Sequence, residues 1–178
     1  MGDKSNMCYF NLEPPTLDNI TDDLLEALIH CKKEIINHPK KSMKEINNSR
    51  RNDFSAESDK SVFTTPQKFE IFIRQSCEFT EDFSVGLIWK PKGHPLGIIL
   101  VRFNGAHGKN RGVAHQRIPH VHELTLQDIQ NQKYDPHQVR EAKSYTNIND
   151  AILKFMKYCN IIDWEQDFPY LLEMNLFD

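Results

Sequence analysis

The chain has 178 residues, of which 39% are hydrophobic, 26% charged and 10% aromatic, with a formal net charge of -3. This length suits one domain that buries a core without disulfide or metal staples, and the aromatic content excludes a disordered chain. No apolar run reaches bilayer length, and Met1-Gly2-Asp3-Lys4-Ser5-Asn6 carries neither an export stretch nor a myristoylation pattern, so a cytoplasmic protein with no membrane association is expected.

In chain order, residues 1–16 read as a lead-in and 17–178 as a single α+β domain. Ile20, Leu24, Leu28, Cys31 and Ile35 recur at helical spacing, widened by Leu25, Ile29 and Ile36. They predict a helix from about 18 to 37, with Asp18, Asp22 and Asp23 at its start and His38-Pro39 as its stop. Residues 39–60 are polar and aperiodic, and read as a long loop or poorly formed helix, the stretch most open to flexibility. Alternation and β-branched content predict strands around 69–74, 83–89 and 97–103, with turn chemistry at Pro91–Pro95. The stretch Asp53–Phe63 would add an edge strand. Three glycines in Asn104–Gly112 predict a loop that matches neither a P-loop nor a dinucleotide fingerprint. Pro119–Leu124 reads as extended, and a short helix is predicted from about Thr125 to Gln130. Asn147 is a helix N-cap, and Ile148, Ile152, Phe155, Met156 and Cys159 form the apolar face of the helix after it. Trp164–Phe177 is a last helix or docking segment. The expected fold is α+β: an antiparallel sheet of three to five strands, with an N-terminal helix, C-terminal helices and a His-rich loop at one sheet end.

Charge is unevenly spread. Residues 83–122 contain Lys90, Lys92, Arg102, Lys109, Arg111 and Arg117 but no Asp or Glu, while the flanking segments are both net acidic. Five of the eight histidines, His94, His107, His115, His120 and His122, fall in the same block. Such a block favours an anionic partner: RNA, DNA, a nucleotide or an acidic protein surface. It also fits solvated strand faces neutralised by the acidic flanks. The four cysteines, Cys8, Cys31, Cys77 and Cys159, are too scattered for a zinc ribbon or CxxC motif and suit a reducing compartment.

The histidines are the main chemical candidates. In an extended segment His120 and His122 point to one face, and His107 or His115 can be brought alongside by the loop. Three readings follow. In a metal-free ribonuclease, one His acts as base toward a ribose 2′-hydroxyl and another as acid toward the leaving oxygen, with Arg or Lys stabilising the phosphorus centre. In a metal site, His-x-His joins a third His and Glu123 around Zn, Fe or Mn, although Glu123 faces the other way. In a structural arrangement, the rings hydrogen-bond loop carbonyls. A Ser/His/Asp hydrolase fits poorly, because no G-x-S-x-G elbow is present.

Gly97-Ile98-Ile99-Leu100-Val101-Arg102-Phe103-Asn104-Gly105-Ala106-His107, a glycine-rich insert and Ile118-Pro119-His120-Val121-His122 follow one another. This layout resembles small bacterial proteins with an apolar strand, a Gly/Pro–His turn and a later Pro-His-x-His. It is similar to the TumE-like toxins of toxin–antitoxin pairs, whose strand ends Arg-Tyr-Asp-Asn-Ala-Pro-His-His before a Pro-His-His-x-His motif. Ala106 stands where that pattern has Pro, and Gly108 where it has a second His. The resemblance covers about 26 residues and implies a toxin-like role, in a defence or mobile-element locus, acting on RNA.

Its motif singles out Arg102, His107, His120 and His122. The candidate catalytic residues are therefore His120, His122 and His107, and the candidate nucleic-acid contacts are Arg102, Lys109, Arg111 and Arg117, with no metal ligand assigned and no cofactor expected. The alternative is a non-enzymatic binding module, such as an anti-defence inhibitor, that docks a protein partner (an antitoxin or defence protein). Its anchors would be Trp164, Phe168, Tyr170, Leu171 and Leu172 in the acidic C-terminal third. A metal-binding protein built on the His-x-His segment is the third reading.

Overall fold

The computed structural model describes residues 10–106, 118–142 and 144–174. Its elements in order are α1 (Asp22–His30), β1 (Lys33–Asn37), β2 (Lys44–Ile46), β3 (Ser49–Ser58), β4 (Lys68–Ser76), β5 (Phe83–Trp89), β6 (Ile98–Asn104), β7 (His120–Glu123), α2 (Leu126–Gln130), β8 (Gln138–Glu141), α3 (Ile148–Tyr158), β9 (Ile161–Ile162) and α4 (Tyr170–Met174). One nine-stranded sheet runs β8-β7-β6-β5-β4-β3-β1-β9, with β2 also paired to β3. All pairings are antiparallel except that of β1 with β9, which is parallel.

This corrects the expectation of a three- to five-stranded antiparallel sheet. The fold is mostly sheet, and the sheet is mixed. The three longer strands read from the sequence, β4 to β6, are its centre. Strands β1, β2, β7, β8 and β9 have only two to five residues each, too few for alternation to stand out. They form because a neighbour supplies the hydrogen-bonding edge.

Two further expectations change. The predicted helix 18–37 stops at His30, where Cys31 turns extended. Thr21 caps its start, accepting from the Leu24 amide at 3.2 Å, and Asp22 and Asp23 occupy its first turn. Beyond it, Lys33–Asn37 pairs with β3, so apolar residues that fit a helical period serve a strand. Residues 39–60, read as loop or poor helix, contain β2 and β3. Strand β3 is interior, between β1 and β4, not an edge. The predicted cap at Asn147 is present, accepting from the Asp150 amide at 3.0 Å on α3, and on α2 Thr125 and Asp128 form a reciprocal capping box.

Helices α1 and α3 share one face of the sheet. Phe69, Ile71 and Ile73 of β4, Val85, Leu87 and Trp89 of β5, and Phe103 of β6 are buried with Leu28 of α1 and Phe155 and Met156 of α3. Among them sits Lys33, fully buried. Its Nζ donates to the carbonyls of Ile29 at 2.8 Å and of Cys31 and Cys159 at 2.9 Å. It also lies 5.0 Å from the centre of the Phe69 ring. Three acceptors match the three donors of an ammonium, so the C-terminal ends of α1 and α3 are tied to β1 through one atom.

A second buried link joins the same helices. His30 Nδ1 donates to the Tyr158 carbonyl at 2.9 Å, and Nε2 lies 3.4 Å from Glu26. Burial pushes the His30 pKa below its usual 6.5, against the opposing pull of the Tyr158 carbonyl, Glu26 and Glu123.

Lys33→Met should lose about 2–4 kcal/mol in denaturant unfolding, because three buried carbonyls lose their donor. For His30 the native ring favours the neutral form, so the unfolded chain binds more protons between the lowered native pKa and the usual one. Its stabilising contribution is complete above about pH 6.5 and is lost as pH falls through the native value. The melting temperature should drop on acidification below about pH 6.5, and His30→Gln should blunt that drop.

Candidate functional site

The sheet alternates side chains between the α1/α3 face and the opposite face, and this sorts the site. Register places Arg102 of β6 opposite His122 of β7, and Asn104 opposite His120. Carried across the sheet, it produces two rows on the face opposite α1 and α3. One runs Arg51, Arg74, Ser84, Asn104, His120; the other runs Asp53, Phe72, Gly86, Arg102, His122.

His120 and His122 share that face, with ring centres 5.0 Å apart. His120 is fully buried. Its Nδ1 donates to the Ile118 carbonyl at 2.8 Å, and the Asn104 amide nitrogen lies 3.3 Å from its Nε2. Ser84 in turn donates its hydroxyl to Asn104 Oδ1 at 2.7 Å. From the α1/α3 face, the Tyr145 hydroxyl is shared between the backbone carbonyls of His120 at 2.8 Å and Asn104 at 3.1 Å. Burial raises the pKa of that phenol well above its usual value, which keeps it a donor. His120 is thus held at both ring nitrogens.

His122 is 9% exposed and donates Nδ1 to the Pro136 carbonyl at 3.1 Å. In the neutral ring this leaves the lone pair on Nε2. Arg102 lies across from it on the neighbouring strand. The Arg102 Nη1 is 3.4 Å from Asp135 Oδ1, while its Nε is buried without a hydrogen bond.

Further along the same face, the Arg74 guanidinium sits 4.6 Å from the centre of the Phe72 ring. Gly86 makes room for that ring: a Cβ there would meet it at 2.3 Å. Burial lowers the Arg74 pKa, and the charges of Arg51 and Arg102 lower it further, against Asp53 and Glu70. Three guanidinium groups from three strands therefore share one field.

Glu123 takes the other face, as expected. Its carboxylate accepts from the Tyr158 hydroxyl at 2.5 Å and lies 3.6 Å from Arg140. Among the described residues, no group of three or more His, Cys, Asp or Glu is arranged to hold a metal ion. Of the candidate residues, His107, Lys109, Arg111 and Arg117 lie outside the described residues, as does His115. Cys31 and Cys159 are buried and free, and burial pushes the Cys159 thiol up to about 12. In the C-terminal segment Trp164, Phe168 and Leu171 belong to the core, which leaves Tyr170 and Leu172 exposed. Among the described residues, no helix is long and apolar enough to cross a membrane.

Ser84, Asn104, Tyr145, Arg51, Arg74 and Phe72 were not singled out from sequence. Asn104 stands inside the motif, and its place in the alternation put it on the Arg102 face. Ser84, Arg51, Arg74 and Phe72 share the face of the histidines only through strand register, and Tyr145 reaches the His120 carbonyl from the other face. Compared with protein-family models, curated proteins and solved structures, the chain matches none.

Asn104→Leu should remove the acceptor of the Ser84 hydroxyl and the amide beside His120 Nε2 from a buried site. A loss of about 1–3 kcal/mol is expected by denaturant unfolding; an unchanged midpoint would show that this line of hydrogen bonds does not hold the ring.

Proposed function

We propose that the protein is a toxin-like, cytoplasmic RNA-directed protein that works on the sheet face opposite α1 and α3. The observation that carries this reading is the cross-strand pair of Arg102 and His122, with His122 oriented by the Pro136 carbonyl. Arg102 is the phosphate contact. His122 is the proton-transfer residue, with Nε2 as acceptor for a ribose 2′-hydroxyl. His120, engaged at both nitrogens and buried, acts as a positioning residue that packs its ring edge against His122. The local resemblance to TumE-like toxins and the carboxylate-free basic block support RNA over other anions.

A non-enzymatic docking module is the second reading. The observation that favours it is the burial of both histidines with each Nδ1 spent on a backbone carbonyl. A protein partner, such as an antitoxin or a defence protein, would then be the target.

Tightly induced expression in a bacterial host separates the two, with growth and bulk protein synthesis measured at equal soluble level. Wild type should arrest synthesis, and His122→Ala should relieve the arrest, with RNA processing reduced by about a hundredfold or more. Arrest that persists in His122→Ala fits docking, and no arrest by either protein counts against the toxin reading.

A further inference from the structure

Arg51 and Arg74 are directly opposed on β3 and β4, and neither belongs to the central basic block. Like charges placed opposite each other in a sheet destabilise it. Here both point away from α1 and α3, beside a third guanidinium, Arg102, that already has a place in the site. Each has some local compensation. Arg51 lies 3.6 Å from Asp53, and Glu70 is held at 2.8 Å by Lys90. Arg74 has no ion pair among the described residues and is braced on the Phe72 ring. The row from Arg51 through Arg74, Ser84 and Asn104 to His120 contains no carboxylate. Beyond His120 the row meets Glu141 on β8, at the end away from Arg51, and Asp53 stands one row over on β3. The cationic end of the face therefore continues from Arg102 to the β3 side.

We propose that Arg51 and Arg74 form a second phosphate subsite, so that a single-stranded RNA crosses the sheet from His122 on β7 to Arg51 on β3. This rests on the RNA-directed reading above and extends it to a path for the strand. The path covers four inter-strand spacings, about 19 Å, which takes several nucleotides rather than a mononucleotide. Guanidinium groups suit it twice over, binding phosphate through a planar fork and stacking on bases. Phe72 itself is buried beneath Arg74, so it braces the guanidinium instead of stacking on RNA. Contacts of this kind read the backbone and carry little sequence preference.

The test is fluorescence anisotropy of the full chain with a 5′-fluorescein single-stranded oligouridylate, titrated at several salt concentrations. The variants are Arg51→Ser/Arg74→Ser, Arg51→Lys/Arg74→Lys and His122→Ala, each checked for a cooperative thermal melt. The double serine variant should bind about tenfold more weakly or worse. Its plot of log affinity against log salt should flatten by about 1.4, or about 0.7 for each phosphate that is no longer neutralised. The double lysine variant should keep the wild-type slope, and His122→Ala should lose arrest. If the double serine variant binds with wild-type affinity and slope while arrest still depends on His122, the subsite is overturned and the functional reading stands. If wild type binds no RNA, or binds polyglutamate instead, both fall.

Discussion

The Lys33 ammonium sits where the two longest helices end, and the rest of the fold is arranged around it. Its acceptors are the carbonyls of Ile29 and Cys31, at the end of α1, and of Cys159, at the end of α3. Helix C-termini carry partial negative charge and unsatisfied carbonyls, so one buried cation answers both needs without a carboxylate. The desolvation cost is large, and it is offset only if all three acceptors stay in place. Lys33 also pairs in register with Ser58 of β3 and Ile161 of β9. One residue thus sets where α1 stops, where β1 begins and how the parallel strand β9 joins the sheet.

Seating α1 and α3 on one face leaves the opposite face to polar chemistry. The two-residue period of the strands then sorts charge that is mixed along the chain. His122 and Glu123 are neighbours in sequence, yet the carboxylate goes to Tyr158 and Arg140 while the imidazole goes to the face of Arg102 and the Pro136 carbonyl. The same sorting brings Arg51 and Arg74, from the acidic N-terminal half, beside the basic central block. Close packing supports the arrangement. Phe72 lies in space that only glycine leaves open at position 86, and Gly105 lies where a Cβ would meet the Glu81 carbonyl at 2.0 Å.

The legible parts of the sequence were those whose signal is local. Strands β4 to β6 are runs of seven to nine residues rich in β-branched and aromatic side chains, and the cap at Asn147 is read from one or two side chains. The shared face of His120 and His122 follows from period two alone. The stretch from Ile20 to Ile36 was read as one helix, because its apolar residues fit a helical stripe throughout, but its end, from Lys33 onward, is extended. Pairing with β3 and β9 settled it as a strand, and that information lies far away in the chain.

By itself, then, the sequence determined an α+β chain with a central antiparallel meander, a carboxylate-free basic block and a histidine pair on one strand face. Only the tertiary structure decided the nine strands, the parallel β1–β9 junction, the burial of Lys33 and the row that joins Arg51 and Arg74 to the histidines. The physical reason is the range of the interactions. Periodicity, capping and turn chemistry act within a few residues. Strand pairing, helix-end neutralisation and the field shared by three guanidinium groups act between segments separated by tens of residues, and they exist only once the sheet has assembled.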